Sequence, residues 1–414
     1  MRVRKTLVWL MVAMLGFLFV GPGTAVAAPF DPGNIVVLRL GDGSGTLGST
    51  ATPVFLDEYT TAGDFVQTIA LPTAVADDNR ILTMSGTATS EGSLTLSADR
   101  NYLALAGYDA PVGTSGITGA NSETINRIVG RVDINGVVDT STRINDAYNG
   151  SNIRSVVTDD GTRFWTAGNS SGSPATGGVR LVNYASTGAT SSIATAPNNA
   201  RWVAIFRNQL YLSSGSGGNT GINTVGTGLP TTSGQSSTRL VDPNNAYGFV
   251  LFDLNESVPG VDTLYVANQS SPGLRKFSFD GTDWTARGHL TDALTDITAI
   301  RTVSGVDLYV TVGTGAGNTI YRVSDTAAFN NDITNSGMAV TAAGTLIATA
   351  GANTVFRGIA FTPGSPAQVA PTAVSLATFS AATNQVSTPL ILLLLLIPLA
   401  GASLFFWRRA GSSA

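Results

Sequence analysis

Short apolar runs alternate with clusters of Gly, Asn, Asp and Ser from about residue 28 to residue 362. Long runs with the 3.6-residue period of an amphipathic helix are absent there, so strands separated by turns are predicted. One phrase recurs six times, a run rich in apolar and aromatic residues that ends at Gly or Asn. Its copies occupy residues 36–41, 102–107, 164–168, 210–215, 264–268 and 308–313. The end-points lie 45 to 66 residues apart, a spacing typical of four-stranded propeller blades of about 40–50 residues with variable loops.

Each recurring phrase has one further strand-like run before it and two after it. The third unit predicts strands over 153–157, 163–167, 178–184 and, more weakly, near residue 190. The fifth unit predicts strands over 247–252, 263–267, 274–279 and 284–289. The sequence therefore favours an all-β fold built from four-stranded units.

The two ends of this region predict a closed ring. The first unit begins at Ile35 with no inner strand before it, whereas residues 356–362 resemble the inner strand over 200–206 and nothing blade-like follows. Pairing of the last strand with the first would remove both open edges, as propellers do. We predict six blades, or seven if the interval 41–107 contains another. Tandem sandwiches, with units near 100 residues, and solenoids, with rungs of about 20–29 residues, fit less well.

The N-terminus, residues 1–27, is predicted to be a secretory signal peptide. Basic residues precede the apolar run 7–20, and Ala25-Val26-Ala27 supplies a small-x-small cleavage site. Cleavage is expected after Ala27, and the alternative is a retained membrane anchor.

The C-terminus contains a second apolar run over 390–407, followed by Arg408 and Arg409. Eighteen residues at about 1.5 Å each span roughly 27 Å, close to the thickness of a membrane core. Basic residues stay in the cytoplasm, so residues 408–414 are predicted to be a cytoplasmic tail and the body to lie outside, as a single-pass protein of the cell membrane. Residues 363–389 are uncharged and rich in Pro, Ala, Ser and Thr, which predicts a flexible stalk. A buried core helix is the alternative for 390–407.

Composition agrees with an exported β protein and excludes some functions. Only 12% of the residues are charged, Gly occurs 47 times, and there is no Cys for disulfides or thiolate chemistry. Without the five basic residues of the terminal segments, the formal net charge falls from −4 to −9. Such an acidic body repels phosphate backbones, so no nucleic-acid partner is expected.

Two stretches, residues 86–95 and 223–235, resemble segments of a family of exported, propeller-like bacterial proteins with a C-terminal membrane or sorting tail. That family has no established activity, so the resemblance implies export and fold and transfers no catalytic residue. The tail lacks an LPxTG pentapeptide and a Pro-Glu-Pro triplet, which favours simple membrane anchoring over enzymatic sorting.

The sequence offers no recognisable catalytic or metal-binding set. His289 is the only histidine, which excludes a His-based metal cluster, and no G-x-S-x-G nucleophile elbow is evident. The Gly-rich loop 42–48 lacks the endings of phosphate-binding and calcium loops. Acid-bearing turns such as Asp159-Asp160 offer at most weak calcium binding, so no cofactor is predicted.

The candidate site comes from alignment of the inner strands on a shared apolar position. Two residues before that position stand Gly92, Arg154, Arg201, Gly248, Thr295 and Arg357. Inner strands line the axis of a propeller, so the three arginines are expected to form an anion or carboxylate clamp at the channel mouth, with Glu91 and Asp296 nearby. The alternative is that each Arg only bridges neighbouring blades.

These patterns together predict a membrane-anchored surface module that binds a glycan, a peptide or an envelope protein. The alternative is an extracytoplasmic lactonase-like or other hydrolase with a site in the axial channel, using a divalent metal held by Glu91 and Asp residues. A purely structural envelope component is the third interpretation.

Overall fold

The computed structural model describes residues 27–366, apart from 173, 174 and 216. The predicted signal peptide up to residue 26, the stalk beyond residue 366, the apolar run 390–407 and the tail 408–414 lie outside the described residues. Within the described range, no helix is long and apolar enough to cross a membrane.

Nearly all regular structure in the described residues is β-strand. The helical elements found there are the single turn α1 (Val340–Ala343) and a 3₁₀ turn over Ile117–Gly119. The strands are β1 (Ile35–Leu40), β2 (Ala51–Tyr59), β3 (Phe65–Ala70), β4 (Thr83–Ser85), β5 (Thr95–Leu96), β6 (Tyr102–Tyr108), β7 (Arg127–Asp133), β8 (Val138–Ile144), β9 (Ile153–Thr158), β10 (Arg163–Gly168), β11 (Gly178–Asn183), β12 (Thr187–Gly188), β13 (Ser191–Ala194), β14 (Ala200–Phe206), β15 (Gln209–Ser214), β16 (Gly221–Val225), β17 (Ser237–Val241), β18 (Ala246–Phe252), β19 (Thr263–Asn268), β20 (Leu274–Phe279), β21 (Trp284–Leu290), β22 (Leu294–Thr302), β23 (Gly305–Val312), β24 (Thr319–Asp325), β25 (Thr345–Thr349) and β26 (Val355–Phe361).

Four sheets are four-stranded antiparallel meanders with the first strand at one edge. Their orders are β9-β10-β11-β13, β14-β15-β16-β17, β18-β19-β20-β21 and β22-β23-β24-β25. The strands of the β9 and β18 sheets, which are the third and fifth predicted units, begin and end within a few residues of the predicted bounds. The blade-like unit expected from the sequence is therefore present.

The fifth sheet has ten strands. One part joins β26, β1, β2 and β3, and the other joins β5, β6, β7, β8 and β12. The short strand β4 connects the two parts because it pairs with both β2 and β6. Gly92 and Leu94, expected on an inner strand, precede the two-residue β5, because Gly92 has φ +86° and so interrupts the extended backbone.

The predicted pairing of the last strand with the first is observed. β26 runs antiparallel to β1, with Ile35 opposite Phe361 and Leu40 opposite Val355. Beyond the strand, Thr362 N donates to the Asn34 carbonyl (3.0 Å). β1 therefore has partners on both sides, β26 and β2.

The hydrophobic core lies between successive sheets. The recurring phrases form the second strands, which are buried on both faces; Trp165, Tyr265 and Tyr309 on them are almost wholly inaccessible to solvent. Burial on both faces explains why these strands are continuous apolar runs instead of alternating patterns. Packing between sheets fixes the position of each edge strand, and these edge strands carry the candidate site.

Candidate binding site at the hub strands

We call β9, β14, β18, β22 and β26 the hub strands, because each lies at the edge of its sheet and contacts the hub strand of a neighbouring sheet. Every hub strand contains a β-bulge near its start, where two of its residues lie opposite one residue of the next strand. The bulged pairs are Arg154–Ser155, Arg201–Trp202, Tyr247–Gly248, Thr295–Asp296 and Arg357–Gly358. A bulge turns its side chains away from the regular alternation of a strand, so the five pairs share one local geometry.

The register corrects one position of the sequence alignment. Alignment on apolar residues puts Gly248 at the level of the arginines, but the bulge puts Tyr247 there and Gly248 one place further. A repeated tripeptide could have given the right register, since Asn198-Asn199-Ala200 precedes Arg201 and Asn244-Asn245-Ala246 precedes Tyr247.

Arg154 and Arg201 each reach the segment that begins the next hub strand. Arg154 donates to the Asn199 side-chain oxygen and to the Ala200 carbonyl (3.2 Å for the latter). Arg201 repeats the pattern, with Nη1 donating to Asn245 Oδ1 (2.7 Å) and to the Ala246 carbonyl (3.3 Å). These contacts have the geometry of the bridging alternative. They also hold the two guanidinium groups at equivalent places on neighbouring sheets.

Arg357 bridges in both directions from β26. Its Nη1 donates to the Thr314 carbonyl (3.0 Å), and its Nη2 donates to the Gly86 carbonyl (3.3 Å). The stem of the side chain packs against Gly92, where an added Cβ would lie 3.0 Å from Arg357 Cβ. The small residue at 92 therefore leaves room for this arginine.

Arg154 and Arg357 are buried and Arg201 is half-buried, and all three guanidinium groups contact neutral acceptors. Arg357 is 2% exposed and Arg154 is 8% exposed, and the Nε atom of each of the three has no hydrogen-bond partner. None of the ion pairs found among the described residues includes them. Burial lowers the pKa of Arg154 and of Arg357 to about 10, and it also lowers the pKa of Arg201.

Glu91 occupies the corresponding place before β9. Asn152, two residues ahead of Arg154, donates its amide N–H to Glu91 Oε1. Asn199 and Asn245 stand at the corresponding positions before the next two hub strands, where their side-chain oxygens accept from Arg154 and Arg201. Tyr108 donates to the same carboxylate oxygen (2.6 Å), and Ser85 N donates to the other (3.1 Å). Burial raises the pKa of Glu91 despite these donors.

Asp296 is the second residue of its bulge and has different partners. Its Oδ1 accepts from Trp202 Nε1 and from Ile297 N, both at 2.9 Å, and the Ile359 and Leu94 amides also donate to the carboxylate. Burial raises its pKa to about 7. Gly248 on the intervening strand lies against Asp296, and any side chain at 248 would collide with it.

Tyr247 and Gln269 are site residues that the sequence reasoning missed. The Tyr247 ring lies 4.1 Å from the Arg201 guanidinium carbon. Tyr247 raises the pKa of each of the three arginines and so offsets part of the lowering caused by burial. Its hydroxyl donates to Gln269 Oε1 (2.7 Å), and Gln269 in turn contacts Thr89. The structure thus gathers Glu91 and the three arginines around Tyr247, with Asp296 bonded to Trp202 and backbone amides.

The other residues considered from sequence lie away from this cluster. His289 is on β21, the outermost strand of its sheet, opposite Arg275. Asp159 forms an ion pair with Arg163 (2.5 Å), and Asp160 accepts from Thr162 within the same turn. Among residues 27–366, with the gaps noted, no three His, Asp or Glu side chains are grouped closely enough to hold a metal ion.

No protein-family model and no curated protein matches this chain. Among solved structures, it is similar to a chain of a nidogen/laminin complex (12% identity, 80% of this chain and 100% of the other, TM-score 0.45). It is also similar to a candidate 6-phosphogluconolactonase from Bacteroides uniformis (13% identity, 76% and 81%, TM-score 0.40). A third similar structure is a gluconolactonase from Xanthomonas campestris (14% identity, 77% and 90%, TM-score 0.38).

Proposed function

We propose that this chain is an exported, membrane-tethered β-propeller of six blades that acts as a binding module. Its ligand contacts the end of the hub at which Arg154, Arg201 and Arg357 lie. The observation that carries the proposal is this set of two buried guanidinium groups and one half-buried one, which have neutral acceptors and no carboxylate in an ion pair. Residues 1–27 direct export and residues 390–407 anchor the body outside the membrane.

Contacts between successive hub strands support six blades in a closed ring. Ser155 Oγ donates to the Arg201 carbonyl (2.8 Å), Arg201 reaches β18, and Gly248 of β18 lies against β22. The Ile359 amide of β26 donates to Asp296 of β22 (3.3 Å). The segment before β5, together with β5, lies between β26 and β9. Gly358 of β26 packs on this segment, and Thr95 Oγ1 of β5 donates to a β9 carbonyl (2.7 Å). Each part of the ten-stranded sheet then counts as one blade.

The charge pattern of the hub supports binding. A buried charge is costly unless it is paired, and three cations at equivalent places in a body of net negative charge form a local positive site. An anionic or strongly polar ligand is the partner that this pattern favours.

The hydrolase alternative gains no support from the described residues. A metal would need free lone pairs on Glu91 or Asp296, but N–H and O–H donors already point at both oxygens of each carboxylate.

The proposal is tested by adding the tail-deleted body (residues 1–389 expressed, signal removed on export) back to cells that lack the protein. Deletion of 390–407 is expected to release the body into the medium, and the released body is expected to rebind the envelope saturably. Arg201→Gln should weaken rebinding, whereas Arg275→Gln should not. Rebinding that is absent, or equal in both variants, contradicts the binding function; a tailless protein that stays in the membrane contradicts the tether.

A further inference from the structure

A short segment of the second blade crosses the arginine end of the hub. We call residues 86–90 the strap. It begins after Ser85 and ends before Glu91, both buried, and Ser85 N donates to Glu91 Oε2 (3.1 Å), which closes its base. The Glu91 amide also donates to the Ala88 carbonyl (3.3 Å). The strap therefore has a fixed base, while Thr87 at its outer part is exposed.

The outer part of the strap is held by long hydrogen bonds. Thr89 Oγ1 lies 3.3 Å from Gln269 Oε1, and Gln269 Nε2 lies 3.2 Å from the Thr89 carbonyl. The Gly86 carbonyl lies 3.3 Å from Arg357 Nη2. Bonds of this length lie at or beyond the usual upper limit for N–H···O and O–H···O contacts, so each of these three contacts holds the strap only weakly.

The strap supplies Arg357 with a carbonyl where a charged partner would bind more strongly. A carboxylate accepts two parallel hydrogen bonds from a guanidinium group and neutralises its charge, while a carbonyl offers one neutral oxygen and leaves the charge in place. The unpartnered Nε atoms of Arg154 and Arg357, on side chains more than nine-tenths buried, are the remaining donors. The hub thus contains donors and positive charge in excess of what the chain itself satisfies.

We propose that the strap opens to admit an acidic sugar, whose carboxylate replaces the Gly86 carbonyl on Arg357 and is also bound by Arg201. This inference rests on the proposed binding function and names the ligand class of the same site. The nearby Asn152, Asn199 and Asn245 are half-buried, so amide side chains border the place that the sugar would occupy.

A sugar fits the surroundings better than a peptide carboxy terminus. Peptide recognition relies on apolar anchors or on an open sheet edge. The exposed large apolar side chains of the described residues, such as Phe65, Val303 and Leu346, lie on β3, in the β22–β23 turn and on β25, and the hub strands are covered by their neighbours. Amide and hydroxyl side chains surround the arginines instead.

The ligand class is tested by calorimetric titration of the full-length mature chain, purified in detergent, with D-glucuronate and with D-glucose. Glucuronate is expected to bind and glucose is not. Arg201→Gln should reduce the affinity for glucuronate roughly 10- to 100-fold, the effect of losing one charge-assisted hydrogen bond. Arg275→Gln, a half-buried arginine on the third strand of its sheet that also has an unpartnered Nε, should leave the affinity unchanged.

The role of the strap is tested with a reversible crosslink. The chain has no Cys, so Thr89→Cys with Gln269→Cys provides a unique pair for a short bis-methanethiosulfonate reagent. The crosslinked protein is expected to lose glucuronate binding, and a reductant that cleaves the crosslink is expected to restore it. Because one protein is compared with itself, a folding defect of the variant cannot mimic this result.

Each outcome has one meaning. Equal binding before and after crosslinking contradicts the opening of the strap. Binding of a peptide carboxylate without binding of glucuronate contradicts the assignment of an acidic sugar as the ligand. Equal affinity for glucuronate in Arg201→Gln and Arg275→Gln contradicts binding of the ligand at the hub arginines. Saturable envelope rebinding that depends on Arg201, together with no affinity for glucuronate, leaves the binding function standing and overturns only the ligand class.

Discussion

Asp296 joins four segments of the chain through one carboxylate. Its donors come from Trp202 on β14, Ile359 on β26, Leu94 before β5, and its own neighbour Ile297. The carboxylate is almost fully buried, and burial raises its pKa to about 7, well above the 3.8 of an exposed Asp. The folded state therefore holds a proton between about pH 4 and pH 7 that the unfolded state releases.

Stability is accordingly expected to rise as the pH falls from 8 to 6. A group with a raised pKa contributes stability that is fully present at low pH and is lost as the pH rises through the folded pKa, here about 7. The contribution between pH 8 and pH 6 is about 1 kcal/mol, measurable as a shift in the urea midpoint. Burial raises the pKa of Glu91 too, so it acts in the same direction.

Asp296→Asn is the control for this pH effect. The amide nitrogen would face N–H donors, so the variant is expected to be less stable at every pH. The difference between its free energies of unfolding at pH 6 and at pH 8 should nevertheless be smaller than that of the wild type by about 1 kcal/mol. A variant with the full wild-type pH dependence would show that another group is responsible.

Lys276 is the second residue whose substitution has a clear expected result. Its Nζ lies 2.9 Å from Asp325 Oδ2 with both side chains fully buried, and Tyr265 donates to the same oxygen (2.6 Å). Lys276→Met would leave a buried carboxylate without its cation, so the free energy of unfolding should fall by about 3–5 kcal/mol. Arg239→Met, from a largely exposed pair with Asp242, should change it by less than about 1 kcal/mol. Similar losses in both would contradict this account.

At the scale of elements, the sequence predicts the strands well and their local irregularities poorly. Turn residues and continuous apolar runs give the bounds of β9 to β11 and of β18 to β21 within one or two residues. The bulges are not visible in that pattern, because one extra residue changes which side chain faces the hub without changing the composition. For this reason the apolar alignment places Gly248 instead of Tyr247 at the level of the arginines. It also gives no sign of Gln269, whose role depends on contacts between distant loops.

Gly358 provides a test of the bulge in β26. A Cβ at this position would collide with the Leu94 amide and lie 2.5 Å from the Gly92 carbonyl oxygen. These are backbone atoms that cannot rotate away, so Gly358→Ala is expected to cost about 1–3 kcal/mol of stability in urea unfolding. Gly45→Ala, where no atom lies within 4 Å of the added Cβ, should be nearly neutral. A neutral Gly358→Ala would mean that β26 does not pack closely on the segment before β5.

At the scale of the whole molecule, the two ends of the described chain depend on each other. β1 and β26 are separated by more than three hundred residues, yet they are paired neighbours in one sheet. Without β26, β1 would present an open edge and apolar residues such as Val37 would lose their cover. The Asp296 carboxylate would also lose the Ile359 amide, so the site and the pairing of the chain's two ends depend on the same strand.

Two truncations separate the contribution of β26 from that of the tail. A chain that ends at residue 366 keeps β26 and lacks the stalk and the apolar run, and it is expected to be secreted as a monomer with one cooperative unfolding transition. A chain that ends at residue 354 lacks β26 as well; its exposed edge and apolar surface are expected to cause aggregation or rapid proteolysis. Size-exclusion chromatography and limited proteolysis distinguish the two. A soluble, protease-resistant chain ending at 354 would contradict the closed ring, and adding residues 355–366 as a peptide should restore resistance if the ring is correct.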